Sequence, residues 1–136
     1  MEAEPRPDQP VNDYQSELSL ISNAMVRLYK VRFGRGPTRA KSAYADDDTL
    51  VCTLRDSLTP AEKSMVRMGE HQRLRDLRMF LQYASEPEFR EAVEQITGRT
   101  VEAFVSGIDT VNDVACELFY LEPVQAAVQA TDEPGG

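Results

Sequence analysis

Two glycines and a proline fall within four residues at Gly34-Arg35-Gly36-Pro37, directly after an amphipathic helical pattern. No other feature restricts the fold as strongly, because a helix must end there and the backbone must turn sharply. Upstream, Leu18, Ile21, Met25 and Leu28 recur at spacings of three and four, with Ala24 and Val31 alongside. Glu17, Asn23, Arg27 and Lys30 occupy the opposite face. The expected helix runs from Tyr14 to about Val31, capped by Asn12 or Asp13, and Gly34 is its left-handed stop.

The rest of the chain is punctuated in the same way. Arg39 to Ala45 and Thr49 to Leu54 read as two strands joined by Asp46-Asp47-Asp48. Short carboxylates tolerate turn geometry and cannot pack in a core. A calcium loop would need spaced oxygen ligands, a glycine and a distal glutamate, and that pattern does not follow. Thr59-Pro60-Ala61-Glu62 is a helix start with a capping box and a proline where its missing N–H is harmless. That helix carries Met65, Val66 and Met68 and is interrupted near Gly69. A second pattern runs from Glu70 to about Ala84, with Leu74, Leu77, Phe80, Leu81 and Ala84 on one expected face. Ser85-Glu86-Pro87-Glu88 reads as another capping box. Its helix reaches Thr97 with Phe89, Val93 and Ile96 inward, and Gly98 stops it. Thr100 to Ser106 and Val114 to Leu121 form a second strand pair, with 107–113 as the connection. The last strand is apolar on both faces, which suits cover on both sides or a homodimer that pairs at an edge. Helix, hairpin, helices, hairpin implies an α+β fold: a two-layer sandwich on a mostly antiparallel sheet.

Residues 1–13 and 122–136 are rich in proline and polar groups and are expected to be disordered tails around one domain at 14–121. No apolar run is long enough to span a membrane, and the N-terminus lacks a secretory signal pattern. Cys52 and Cys116 are too few for a disulfide scaffold and read as reduced core thiols, so the expected compartment is the cytoplasm.

The charge is uneven. The chain carries a net charge of -8, yet no acidic residue lies between Glu17 and Asp46, where Arg27, Lys30, Arg32, Arg35, Arg39 and Lys41 occur. Residues 27–78 hold twelve cations against seven acids, a local +5 that leaves -13 for the remainder. Such a chain can present one cationic face to a partner, and the plain alternative is a solvated surface. The candidate binding residues for an anion or an acidic partner are Arg32, Arg35, Gly36, Arg39, Lys41, Arg75 and Arg78. Arg75 and Arg78 are expected to share a face of the central helix. The single histidine, His71, lacks a catalytic or ligating partner in sequence and reads as a surface or interface residue. Gly34 to Pro37 follows a helix, so it is not a phosphate loop of the strand-to-helix kind. No catalytic residue, metal site or cofactor is expected. A nucleic-acid partner is disfavoured by a pI near 4.7 and the lack of a reader motif.

Several segments together resemble the MpsC family, a small bacterial domain. They are Ile21-Ser22-Asn23-Ala24 with Leu28-Tyr29-Lys30, Phe33-Gly34-Arg35-Gly36-Pro37 with Ala40-Lys41, and Leu50-Val51 through Leu58-Thr59-Pro60-Ala61-Glu62-Lys63. Arg73 to Arg78, Ile96-Thr97-Gly98-Arg99-Thr100-Val101 and Val114 to Leu121 continue the likeness to about residue 122. The resemblance implies a link to a Na+-translocating, membrane-potential-generating system and supplies no catalytic residues. A chain with no membrane span would then be a cytoplasmic accessory or regulatory subunit, peripheral at the inner face of the membrane, with a transport complex as partner. A sensor of small anions or nucleotides, built on Gly34 to Pro37 and the flanking cations, is the alternative, and an enzyme whose groups converge only in three dimensions is the third.

Overall fold

The computed structural model describes residues 10–124, with side chains from residue 16 onward. Most of the two expected tails, 1–9 and 125–136, lies outside these residues. Eight elements follow in order: α1 (Pro10–Phe33), β1 (Arg39–Asp46), β2 (Thr49–Arg55), α2 (Pro60–Arg67), α3 (His71–Ala84), α4 (Glu86–Thr97), β3 (Val101–Asp109) and β4 (Val114–Leu121). Helix α1 begins four residues ahead of the expected Tyr14, which a proline in the first turn allows.

The four strands form one antiparallel sheet in the order β1-β2-β4-β3. The chain is α+β, with helix, hairpin, helices and hairpin in the expected succession. The two hairpins meet through β2 and β4, which makes β1 and β3 the edges. The last strand is therefore interior, and the expected dimer contact along its edge has no free edge to use. Strand β3 also runs to Asp109, three residues past the expected end, because Gly107, Ile108 and Asp109 continue the ladder opposite Cys116, Ala115 and Val114.

One face of the sheet carries the core. Leu50, Cys52 and Leu54 from β2, Ala115, Phe119 and Leu121 from β4, and Val101 and Phe104 from β3 meet Ile21, Met25 and Tyr29 of α1 and Phe89 and Val93 of α4. The aromatic rings run on from Tyr29 to Phe89, Phe104 and Phe119 at centroid separations of 5.3–6.0 Å, spacings at which tilted rings attract. Cys52 is buried in this layer, and its thiol is pushed up to about 12 by burial. Cys116 points to the other face and is only half-buried, contrary to the core position expected of it.

The punctuation reads directly in the backbone. Gly34 adopts φ +81° and its N–H reaches Lys30 O at 2.8 Å, ending α1. Thr59 and Glu62 form the full capping box, with bonds of 3.2 Å and 2.8 Å. Ser85 does not cap α4; its hydroxyl bonds back to Leu81 O and takes a bond from Arg32. The face of α3 also differs from expectation. Leu74, Arg78 and Gln82 are buried, whereas Leu77 and Phe80 are exposed, Phe80 at 71%. Arg78 and Gln82 turn inward because the half-buried Glu62, the buried Glu117 and the Ser57 carbonyl wait for them there, and those bonds override the apolar stripe.

Candidate functional site

The cationic stretch that follows α1 divides into groups the fold consumes and groups it leaves free. Arg32 Nε bonds Ser85 Oγ at 2.6 Å and ties the end of α1 to the α3–α4 junction. Arg35 Nη2 reaches Asp56 Oδ2 at 2.9 Å and Asp56 O at 3.1 Å. Gly36 is there for space: a Cβ would lie 3.1 Å from Val26 O and 3.3 Å from Val26 Cγ1. These three shape the turn.

The Arg35–Asp56 contact belongs to a junction of two loops. Asp56 sits at φ 63° and accepts from Thr38 Oγ1, with Lys63 also within 3.4 Å. The Thr38 bond first, then the Arg35 and Lys63 charges, hold its carboxyl below the ordinary carboxylate range. Asp113, at φ 56°, turns its carboxylate onto the N–H groups of Ser57 and Leu58, at 2.9 Å and 3.2 Å. The β2–α2 loop is thereby pinned to the β3–β4 turn.

Arg78 lies directly beneath, fully buried. Nε and Nη2 fork onto Glu62 at 3.0 Å and 2.8 Å, Nη2 also reaches Ser57 O at 2.9 Å, and the guanidinium carbon sits 3.7 Å over the Phe33 ring. The carboxyl of Glu62 is opposed by burial, but the bonds from Arg78 and from the Thr59 backbone outweigh that and keep it below its ordinary value. Arg78 is thus an internal brace joining α1, the β2–α2 loop, α2 and α3. The expectation that it shares an open face with Arg75 is corrected: Arg75 is exposed on α3, and Arg78 is enclosed.

Three of the cations left free lie together at one corner of the sheet, apart from Arg27, Lys30 and Arg75 on the helices. The hairpin register sets Arg39 opposite Arg55 and Lys41 opposite Thr53. All three cations are exposed on the face away from the helices. Among the described residues their side chains have no hydrogen-bond or ion-pair partner. An open cleft of about 420 Å³ begins between Arg39 and Arg55 and continues to Lys63 and Arg67 on α2 and to Val111, Asn112 and Asp113 of the β3–β4 turn. A second shallow cleft beside it is lined by Thr38, Arg39, Lys41, Thr53 and Arg55. Lys63 and Arg67 are one helical turn apart and share a face. Asp56 and Asp113 also line this cleft, and Asp56 lies 3.4 Å from Lys63. Arg75 lines neither cleft. Of the residues expected to bind, Arg39 and Lys41 therefore come together, and Arg55, Lys63 and Arg67 join them through register and tertiary contact.

A second polar group lies in the core. Glu117 is the one carboxylate on the inward side of β4 and is fully buried. Its Oε2 accepts from Tyr29 Oη at 2.5 Å and from Gln82 Nε2 at 3.3 Å, while Gln82 Nε2 also bonds Ser106 Oγ at 2.6 Å. Glu117 Oε1 and Gln82 Oε1 are buried without a partner. Burial raises the Glu117 carboxyl from 4.5 to about 7, and the bonds from Ser106, Tyr29 and Gln82 offset this only in part. Burial, then the Glu117 charge, push the Tyr29 hydroxyl well above its usual range.

A family model described as "Na+-translocating membrane potential-generating system (MpsC)" matches residues 15–123, from the second turn of α1 to just past β4. The chain belongs to the MpsC family. The match covers every element described above, so the free cationic corner and the Arg78 brace are parts of the MpsC domain itself. No curated protein and no solved structure matches the chain. Among the described residues no helix is long and apolar enough to cross a membrane.

Proposed function

We propose that this MpsC-family chain is a non-enzymatic accessory module that docks on an acidic surface of a membrane-potential-generating transport system. The observation that carries the reading is the corner formed by Arg39, Lys41 and Arg55, three exposed cations without internal partners in a chain of net charge -8. Free cations cost little to expose, and brought against carboxylates they steer encounter and fix orientation. The family association supplies the system to which such a module attaches. The module is peripheral, at the inner face of the membrane, because moving an ion through lipid needs spanning elements with embedded polar groups. Capture from native membranes tests the reading: Arg39→Glu, Lys41→Glu and Arg55→Glu together abolish co-sedimentation while the fold is retained. Unchanged co-sedimentation of the folded triple variant would overturn it.

One observation favours a second reading. The 420 Å³ cleft draws Arg39, Arg55, Lys63 and Arg67 around one concavity, a size and charge suited to a phosphate-bearing or carboxylate metabolite. Thermal shift against nucleotides and simple anions separates the two. A stabilisation that grows with one ligand's concentration marks a sensor, and a flat response leaves the docking module.

A further inference from the structure

The helices cover only one face of the sheet. On the other face Val51, Val105, Val114, Cys116, Leu118 and Tyr120 lie side by side by register and strand alternation. Val105 is 43% exposed and Tyr120 38% exposed. We propose that this uncovered face is a self-docking surface, occupied by the same face of a second copy of the chain.

Charge selects that occupant and its orientation. One row of the register runs Arg39, Arg55, Val114, Asp109, from one edge of the sheet to the other. The row is cationic on β1 and β2, through Arg39 and Arg55, apolar at Val114 on β4, and anionic at Asp109 on the β3 edge. Asp109 uses Oδ1 for the turn, accepting the Asn112 N–H at 2.8 Å, and among the described residues Oδ2 has no partner. An isologous pair brings the same patch together on both copies. A two-fold axis along the strands sets β1 of each copy over β3 of the other at the same level, so Arg39 meets Asp109 of the second copy twice. A two-fold axis across the strands sets β1 over β1 and brings the cationic edges together, which is repulsive. The first arrangement is also the aligned sheet-on-sheet packing, in which inner faces interdigitate about 10 Å apart. The apolar centre then becomes the core of a sandwich and the charged rows its rims. The pair uses no edge-to-edge backbone hydrogen bonds, which agrees with β4 lying inside the sheet.

This goes beyond the docking reading and competes with it for the face that carries Arg39, Lys41 and Arg55. Light scattering and sedimentation on the purified full chain at rising concentration test it. The wild type reaches twice the mass of one chain. Val105→Glu, an exposed position whose change spares the core, lowers the association at least tenfold. Arg39→Asp and Asp109→Arg each weaken the pair, and the two together restore it, because the swap rebuilds the same contact reversed. A wild type that stays monomeric overturns the proposal. So does a folded double swap no tighter than either single variant, or a folded Val105→Glu chain that still pairs. A wild type that is captured by membranes but stays monomeric removes this inference alone, and a wild type that pairs but is not captured removes the docking reading alone.

Discussion

At the scale of single residues, Glu117 has the most direct consequence. Its two unpartnered neighbours, Glu117 Oε1 and Gln82 Oε1, are both acceptors when the carboxyl is ionised. A proton on the carboxyl adds a donor to a cluster that holds two unpartnered acceptors. The folded carboxyl is raised to about 7 from an ordinary 4.5. The folded state therefore holds the proton more tightly than the unfolded chain does. Stability from this group is undiminished below pH 4.5, falls as pH rises toward 7, and levels above it, a loss on the order of 3 kcal/mol. Glu117→Gln keeps an acceptor for Tyr29 and adds a donor for Gln82, so it flattens that part of the profile. The difference between variant and wild type in urea denaturation at pH 5 and pH 8 isolates it from Asp56 and Glu62, whose lowered values act in the opposite sense. Arg78→Ala leaves Glu62 half-buried and unpaired, and we expect a loss of roughly 3–5 kcal/mol in the same assay. Neither residue was legible beforehand as what it is. Glu117 was visible as the one acid in an apolar strand, on the same side as Ala115, Phe119 and Leu121, but only its surroundings give it meaning.

At the scale of elements, much was legible, because helix stops and starts are local. Gly34, Thr59 with Glu62, and Gly98 each fix a boundary through bonds within a few residues. Gly34→Ala would place a Cβ in open space, so only the left-handed backbone penalises it, by about 1 kcal/mol, measurable as a shift in melting temperature. The face of α3 was not legible. Its apolar period points Leu77 and Phe80 inward, but the bonds of Arg78 and Gln82 to Glu62, Ser57, Glu117 and Ser106 rotate the helix the other way. Phe80→Ser therefore changes stability by no more than about 0.5 kcal/mol, whereas Leu74→Ala, fully buried, loses roughly 2–5 kcal/mol. Paired urea titrations of the two variants check the rotation. The join of β2 to β4 was equally hidden, since pairing between strands so far apart in sequence is decided by the core they enclose.

At the scale of the whole molecule, the account is one of uneven charge. Helices on one side bury the polar brace and the core carboxylate, and Arg39, Lys41 and Arg55 stand together on the other side at one corner. The sequence shows Arg39 and Lys41 as part of a basic run, but the corner exists only once hairpin register adds Arg55 and tertiary contact adds Lys63 and Arg67. Position within the fold, not summed charge, is then what a partner reads. Arg55→Glu and Arg75→Glu change the net charge equally, at exposed sites without internal partners. The decisive measurement is capture of each from native membranes beside the wild type. Our account predicts that Arg55→Glu loses most of its binding, at least tenfold, while Arg75→Glu binds as the wild type does. Equal loss in both, or retention in both, would contradict it.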